Sequence, residues 1–213
     1  MSSLPNLLEG ALVTIQLTVL SLLLGLVLAI PIAFGQIYGP KYLRRLIGVY
    51  ERVVRSIPLL VILFLIFYGF PRVGIKFPAF TAAVIGIGIR SSAYQSQIFR
   101  GAIQSISGSQ MKAALSLGMS KIQSFKNVIL PQSIRIAIPP MANESAIVLK
   151  DTSLAYALGV IELLRQGGYI IATEYRPLPI YLTVAAIYLV MTLTINTTLG
   201  HFENRLKIPG IGI

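Results

Sequence analysis

The stretch "KAALSLGMSKIQSFKNVILP", residues 112–131, has a regular helical pattern and lies between long apolar runs. Glycine ends helices and serine caps them, so Gly118 and Ser120 divide the stretch into two short helices. We expect Ser109 to cap the first helix and Pro131 to end the second. The apolar residues recur at helical spacing (Ala113, Leu117, then Ile122, Phe125, Val128 and Ile129).

The connector that contains this stretch, about 101–135, has two readings on physical grounds alone. It either folds into two helices or rests on anionic lipid as a basic amphipathic segment. It carries basic residues and no acid between Arg100 and Arg135. The residues by themselves favour neither reading.

The composition is that of a membrane protein. The 213 residues are 55% hydrophobic and 12% charged, with a mean hydropathy of +0.78, whereas globular chains carry roughly 25% charged residues. The net charge of +11 is compatible with nucleic-acid binding, but the hydropathy and the placement of the charges argue against that partner. The sequence has no cysteine and one histidine, which excludes disulfides, thiolate metal sites and His-cluster metal sites. We expect one integral membrane domain over 1–213, with no metal.

Ionisable residues separate five apolar runs, and a span needs about 20 apolar residues. The second run is short, so we expect the flanking Arg55 and Arg72 to extend their charged ends towards the membrane surfaces. This pattern predicts an all-α membrane protein with five transmembrane helices. The runs cover about 11–34, 56–71, 77–99, 136–161 and 177–200.

The charges outside the spans predict the orientation. Twelve basic residues against two acids fall on one side, and four against three on the other. Because positive loops stay in the cytoplasm, five spans place the N-terminus outside. The twelve are Lys41, Arg44, Arg45, Arg52, Arg55, Arg100, Lys112, Lys121, Lys126, Arg135, Arg205 and Lys207.

The connector resembles the coupling loop of ATP-binding cassette (ABC) importer permeases, whose signature is Glu-Ala-Ala, three residues, Gly, nine residues, Ile-x-Leu-Pro. Lys112 stands in place of the Glu and Val128 in place of the Ile, whereas five residues match in register: Ala113, Ala114, Gly118, Leu130 and Pro131. Three further segments resemble the polar-amino-acid branch of these permeases, so the resemblance covers nearly the whole chain. They are "RSIPLLVILFLIFYG" (55–69), "AYQSQIFRGAIQSI" (93–106) and "PPMANESAIVLKDTSLA" (139–155).

The resemblance implies a type I importer permease in a bacterial or archaeal inner membrane, working by alternating access. It implies a second permease, two cytoplasmic ATPases and an extracytoplasmic binding protein as partners. ATP and Mg²⁺ would bind the ATPases, since this sequence has no Walker A loop; the chain itself is expected to bind no cofactor and to be no enzyme. The implied ATPase-coupling residues are Lys112, Ala113, Ala114, Leu117, Gly118, Leu130 and Pro131.

Two predicted spans carry polar residues that are costly inside a bilayer. In the third, Arg90, Tyr94 and Gln97 form one helical stripe, which Ser91, Ser92 and Gln95 enlarge. In the fourth, Glu144 and Asp151 share a stripe, and Lys150 lies about 100° round from Asp151. We expect Pro139-Pro140 to interrupt the fourth helix and leave a half-helix N-terminus inside the membrane.

These residues have a structural and a substrate reading. The structural reading pairs Arg90 with Glu144 and Lys150 with Asp151. In the substrate reading, Arg90 with Ser91 and Ser92 receives an α-carboxylate, Glu144 receives the ammonium, and Asp151 holds a cationic side chain. That reading predicts basic amino acids as substrates; Tyr68, Asn143 and Lys150 complete the candidate set.

Two other functions fit parts of the sequence. An ion-coupled secondary carrier would use Glu144, Lys150 and Asp151 as a relay, but it needs no ATPase-docking loop. A membrane-embedded enzyme would use Lys150 and Ser153, yet no nucleophile elbow or metal set accompanies them. The choice between two copies of this chain and a paralogous partner stays open.

Overall fold

The chain folds as a helical bundle. The computed structural model describes residues 4–106 and 108–206, and no strand occurs in those ranges. Lys207, counted above among the cytoplasmic charges, lies outside them. The α-helices in the described ranges are α1 (Leu4–Tyr38), α2 (Lys41–Ser56), α3 (Leu59–Phe64), α4 (Ala79–Ser105), α5 (Gly108–Ser116), α6 (Lys121–Ser124), α7 (Leu130–Asp151), α8 (Leu163–Glu174) and α9 (Pro177–Leu206).

Four shorter helical turns adjoin three of these helices, α3, α6 and α7. A π-helical turn, Leu65–Gly69, and a 3₁₀ turn, Phe70–Val73, continue α3. A second π-helical turn, Phe125–Ile129, joins α6 to α7, and the 3₁₀ turn Thr152–Leu158 follows α7.

Membrane-spanning potential differs among the helices. Within the described ranges, α1 and residues Pro177–His201 of α9 are long and apolar enough to cross a bilayer alone. The pair Lys41–Ser56 and Leu59–Val73, bent by 103°, is a third candidate if it counts as one span. Helices α4 and α7 have 27 and 22 residues, but internal polar side chains lower their hydropathy. The five-span count therefore stays a prediction.

Helices α1 and α4 make the most extensive helix–helix contact within the described ranges, and they run parallel. Ser21 lies beside Val84, and Gln36 lies beside Gln97 further along both helices. Glycines permit the close approach, because a Cβ on Gly25 would lie 2.5 Å from Gln95 Nε2 and one on Gly88 would lie 2.7 Å from Leu24 Cδ2. Small residues at such contacts let helix backbones pack where lipid offers no hydrophobic driving force.

Three apolar clusters hold the bundle together. One packs α1, α3 and α4 around Leu17, Leu63 and Ile87, all at most 1% exposed. A second, containing Phe99 and Phe125, joins α1, α4 and α7 to the π-helical turn before α7. A third, made by α1, α8 and α9, contains Leu7, Leu163, Ile170, Ile180 and Val184.

The predicted helix breaks at the prolines are wrong. Helix α7 continues through Pro139 and Pro140, so the bundle holds no half-helix N-terminus there. Each proline removes one backbone hydrogen bond but has a φ that suits a helix, and packed bundles tolerate such prolines. Pro131 does not end a helix either; it lies in the first turn of α7, where its missing N–H is harmless.

The predicted turn between α5 and α6 is confirmed. Gly118 adopts φ +84°, a left-handed conformation, and ends α5. Ser120 caps α6: Gln123 N donates to Ser120 Oγ at 3.2 Å, and Ser120 N donates to Gln123 Oε1 at 2.8 Å. Helix α5 begins at Gly108, so Ser109 lies within its first turn rather than at the cap position.

Candidate functional site

Four of the predicted substrate residues meet where α4 packs against α7. Arg90 Nη1 donates to Asp151 Oδ2 at 2.5 Å, and Ser91 Oγ donates to Glu144 Oε1 at 2.7 Å. We call Arg90, Ser91, Glu144 and Asp151 the polar cluster. It lies near the middle of α4, and the apolar clusters around Leu63 and Phe99 flank it along the bundle.

The two halves of the polar cluster differ in burial. Ser91 and Glu144 are 1% and 3% exposed, whereas the Arg90 and Asp151 side chains are each 21% exposed. The ion pair is therefore accessible, while the Glu144 carboxylate is enclosed. A buried carboxylate is costly without a compensating partner, and the hydrogen bond from Ser91 supplies only part of that compensation.

The pairing differs from the structural pairs predicted from the sequence. Arg90 pairs with Asp151 and not with Glu144, and Lys150 is exposed on another face of α7. Lys150 lines a groove of about 310 Å³ with Ser153, Leu164, Tyr181, Val184, Ala185 and Tyr188. The predicted Arg90–Glu144 and Lys150–Asp151 pairs are therefore wrong. Helices α4 and α7 are rotated so that Arg90 faces Asp151, and Lys150 points away from both.

Gln95 ties the polar cluster to α1. Its Nε2 donates to Ser91 Oγ at 2.9 Å and to the Leu22 carbonyl at 3.2 Å. Its Oε1 is buried and accepts no hydrogen bond from any residue in the described ranges. Gln95, Ser91 and Glu144 thus form a hydrogen-bonded chain, in which Ser91 accepts from the amide and donates to the carboxylate.

Ser92 makes its hydrogen bonds on the side of α4 that faces α2. It lies within 2.6 Å of Tyr50 Oη and donates to the Ile89 carbonyl at 2.7 Å, so it packs against α2. Beside it, Glu51 on α2 accepts from Gln36 Nε2 at 2.7 Å and from Ser96 Oγ at 2.8 Å. Sequence reasoning missed Glu51 because it counted the residue as an acid of a basic cytoplasmic loop, yet it is 4% exposed.

Two arginines flank one tyrosine next to the polar cluster. The Tyr94 ring centroid lies 4.9 Å from the Arg90 guanidinium and 4.7 Å from that of Arg55, at the end of α2. Guanidinium groups within about 6 Å of an aromatic centroid are attracted to it. The ring therefore helps to fix Arg90 in addition to the Asp151 bond.

The remaining candidate substrate residues stand apart from the polar cluster. Tyr68 is 57% exposed and contacts the rings of Phe64 and Phe67. Asn143 is also exposed, although it precedes the buried Glu144. The structure therefore gathers four of the eight predicted residues and separates Ser92, Tyr68, Asn143 and Lys150 from them.

The predicted coupling residues lie beyond the C-terminal end of α4, on α5, in the turn after it and at the start of α7. Leu117 is 81% exposed, Lys112 and Ala113 are exposed, and Ala114 is buried. Leu130 is half-buried and Pro131 exposed at the start of α7. The turn that follows α5 thus exposes an apolar side chain, Leu117, while Ala114 within the helix packs inward.

Sequence comparison assigns the chain to a family. It belongs to the binding-protein-dependent transport system inner membrane components, a family that matches residues 4–208. It is therefore a membrane transport subunit of the inner membrane, which confirms the predicted family and location.

Individual relatives agree with this assignment. The glutamine transport system permease GlnP of Escherichia coli (strain K12) is 38% identical over 208 residues, covering 97% of this chain and 95% of that protein. The L-cystine transport system permease TcyB of Bacillus subtilis (strain 168) is 37% identical over 203 residues, covering 95% and 87%.

A solved structure of an amino acid ABC transporter, crystallised with histidines, superposes with a TM-score of 0.84. It is 37% identical and covers 94% of both chains. The all-helical ABC importer fold is thereby confirmed, and the chain is a permease of the amino-acid ABC transporters rather than an ion-coupled carrier.

Proposed function

We propose that this chain is the permease subunit of an ATP-driven importer of polar amino acids, with basic amino acids preferred. The observation that carries the proposal is the polar cluster, which places a guanidinium and an enclosed carboxylate on neighbouring helices in the middle of the bundle. Polar groups at this depth commonly mark a substrate path.

The two ends of an amino acid match the two halves of the cluster. Arg90 suits the α-carboxylate because a guanidinium binds carboxylates through a planar pair of donors. Glu144 suits the ammonium because it lacks a direct cationic partner within the described residues. Gln95 Oε1, which is buried and accepts no bond in the same ranges, is a further acceptor on this side.

Preference for basic substrates rests on Asp151. In the structure Asp151 is bonded to Arg90, so a cationic substrate side chain must compete with Arg90 for that carboxylate. Movement of Arg90 from Asp151 to the substrate carboxylate would free Asp151 for the side chain. A neutral polar substrate would offer no cation to replace Arg90 at Asp151, and binding it would leave that carboxylate unpaired.

Five spans with an external N-terminus accord with the helix directions. Helices α1 and α4 run parallel, and α7 runs antiparallel to α4, since Arg90 contacts Asp151 while Phe99 packs with Ile129 at the other end. Because α1 and α4 both run from outside to inside, the chain must cross back to the outside between them, and it would do so through α2 and α3.

Coupling to ATP hydrolysis would occur through α5. Its exposed residues Lys112 and Ala113, with Leu117 in the turn that follows, would dock on a cytoplasmic ATPase that binds ATP and Mg²⁺, and Gly118 would set the angle to α6. We propose two such ATPases, a second permease and an extracytoplasmic binding protein as the partners. Rigid-body motion of the α5–α6 unit would then move α4 and α7.

The proposal is tested by substrate binding and by ATPase stimulation. The complex, reconstituted with its ATPase and binding protein, is assayed with arginine, lysine, histidine, glutamine and cystine. Replacement Glu144→Gln should weaken binding to the purified permease complex at least about tenfold. Glu174→Gln, an exposed carboxylate at the end of α8, is the matched control and should bind as wild type.

Two results would overturn parts of the proposal. Unchanged affinity in the Glu144 variant removes the substrate role of the polar cluster. A response to glutamine or cystine with none to arginine, lysine or histidine removes the preference for basic substrates but leaves amino-acid transport intact.

A further inference from the structure

Helix α2 has three distinct faces, which follow from its 100° rotation per residue. One face packs on the bundle, and it includes Ile47, Tyr50, Glu51 and Val54. The second face is an apolar stripe at positions i, i+4, i+7 and i+11: Tyr42, Leu46, Val49 and Val53, which are 75%, 67%, 45% and 49% exposed. The third face is basic, with the exposed residues Lys41, Arg44, Arg45 and Arg52.

The exposed apolar stripe and the basic face adjoin each other along the whole of α2. Such a helix is too polar to cross a bilayer, because arginine at the centre of a span is strongly unfavourable. Apolar residues beside a row of Lys and Arg are instead typical of a helix lying in the plane of an anionic membrane surface.

The orientation of α2 agrees with that location. The axis of Lys41–Ser56 makes an angle of 103° with that of Leu59–Val73. If the second segment crosses the membrane, as the apolar composition of Leu59–Phe70 indicates, α2 lies close to the membrane plane. Both the geometry and the distribution of side chains therefore describe an interfacial helix.

We infer that α2 docks on anionic phospholipid of the cytoplasmic leaflet, with Tyr42, Leu46, Val49 and Val53 in the acyl boundary and its basic face on the phosphates. Charge decides between lipid and a second copy of this chain. A symmetric contact through the stripe would bring two basic faces together, whereas anionic headgroups neutralise them.

The contacts of α2 connect this docking to the polar cluster. Tyr50 bonds to Ser92 and Glu51 to Ser96, in the part of α4 that directly follows Arg90 and Ser91. Arg55, the penultimate residue of α2, stacks on Tyr94 4.7 Å away. A change in how α2 sits on the membrane would thus reach α4 through direct side-chain contacts.

Spin labelling tests the location of α2, since the chain has no cysteine and each introduced cysteine is unique. The full chain carrying Val49→Cys or Arg45→Cys is labelled in vesicles of phosphatidylcholine and phosphatidylglycerol at 3:1. The label at position 49 should be accessible to oxygen and shielded from aqueous nickel chelate, and the label at position 45 should show the reverse. A position-49 label that is shielded from both reagents means that protein covers the stripe, and one accessible mainly to nickel chelate means that water does; either result overturns the inference.

Lipid preference tests the role of charge. The wild-type chain should select phosphatidylglycerol over phosphatidylcholine, measured as the relative association of spin-labelled lipids. In the triple variant Lys41→Gln/Arg44→Gln/Arg45→Gln, the ratio of phosphatidylglycerol to phosphatidylcholine association should fall by about fivefold or more. The variant Arg72→Gln/Lys76→Gln removes exposed charge beyond the far end of α3 and should keep it. Equal preference in the triple variant and the wild type overturns the inference, and neither readout depends on the amino acid transported.

Discussion

Arg90 on α4 is ion-paired with Asp151, which lies 61 residues further along the chain at the end of α7. The second carboxylate of α7, Glu144, accepts its hydrogen bond from the neutral Ser91. The two carboxylates share one stripe of the helix, but Asp151 is bonded to a cation and Glu144 to a neutral hydroxyl. Asp151 has a cationic partner within the protein, whereas Glu144 has none among the described residues.

Exchanging the charges of the ion pair should separate its structural role from its binding role. Arg90→Asp alone places like charges together, and we expect it to lower the free energy of unfolding by about 1–3 kcal/mol, a range reduced for partial exposure. Adding Asp151→Arg restores an ion pair and should recover most of that loss. Amino-acid binding should stay impaired, because the guanidinium now projects from α7.

Thermal unfolding of the purified chain in detergent and amino-acid binding to the assembled complex measure the two roles. Additive losses of stability in the double variant would show that the two side chains do not interact. Recovered binding in the double variant would show that the pair acts only to join α4 to α7.

The buried cap of α8 should be among the most sensitive positions for stability. Glu162 is fully buried, accepts from Leu164 N and Arg165 N at 2.9 and 2.8 Å, and accepts from Tyr188 Oη at 2.8 Å. Glu162→Ala removes a helix cap and strands buried donors, so we expect a loss of about 2–4 kcal/mol. Glu174→Gln, at the exposed end of the same helix, should change stability by less than about 0.5 kcal/mol.

Thermal or urea unfolding of the two variants under one detergent condition provides the comparison. Equal midpoints for both would contradict the importance of the cap. The neutral Glu162→Gln should fall between them, since the amide keeps one acceptor for the two backbone donors.

Local chemistry made part of this structure predictable. The turn at Gly118 and the cap at Ser120 depend only on residues within a few positions, and both appear as expected. The stripe containing Arg90 and Ser91 follows from helical periodicity. The position of Glu144 beside Ser91 was also predictable, because a charge inside a bilayer must face polar partners rather than lipid.

Which side chains pair between helices could not be predicted in the same way. A wheel position fixes which residues share a face, but the rotation of α4 and α7 about their axes decides that Arg90 meets Asp151 rather than Glu144. Glu51 illustrates the same gap, because its burial depends on contacts with α1 and α4 and not on its basic neighbours. The continuity of α7 at Pro139 depends likewise on the packed surroundings rather than on the proline itself.

The close contact between α1 and α4 predicts an intolerant glycine. A Cβ at Gly25 would lie 2.5 Å from Gln95 Nε2 and 3.2 Å from Ser91 Cβ, so Gly25→Ala should destabilise by about 1–3 kcal/mol. Gly48→Ala on α2 is the control, since no atom lies within 4 Å of the added methyl group and alanine favours helix.

A double variant tests whether a methyl group at Gly25 contacts Gln95. Gln95→Ala removes the nearest obstructing atoms, so the double variant Gly25→Ala/Gln95→Ala should be more stable than the sum of the single changes indicates. Strict additivity in unfolding experiments would mean that the methyl group at position 25 is accommodated without touching Gln95.

Replacement by alanine should change stability in opposite directions at Gly118, the left-handed glycine in the turn between α5 and α6, and at a helical glycine. Gly118 has φ +84°, and Gly101 lies inside α4; a Cβ at either position meets no atom within 4 Å. Steric clash therefore contributes to neither substitution, and the difference in stability between the two variants reports backbone conformation alone. Gly118→Ala should cost about 1–2 kcal/mol, because L-residues disfavour the left-handed region.

Gly101→Ala should instead stabilise α4 by up to about 1 kcal/mol, because alanine loses less conformational entropy in a helix than glycine does. Unfolding midpoints of both variants measure these signs. Stimulation of the partner ATPase by the reconstituted permease adds a functional measurement: if the turn at Gly118 sets the angle at which α5 docks, only Gly118→Ala lowers it. Equal stimulation in both variants, together with a measured loss of stability at Gly118, would mean that the turn serves folding and not coupling.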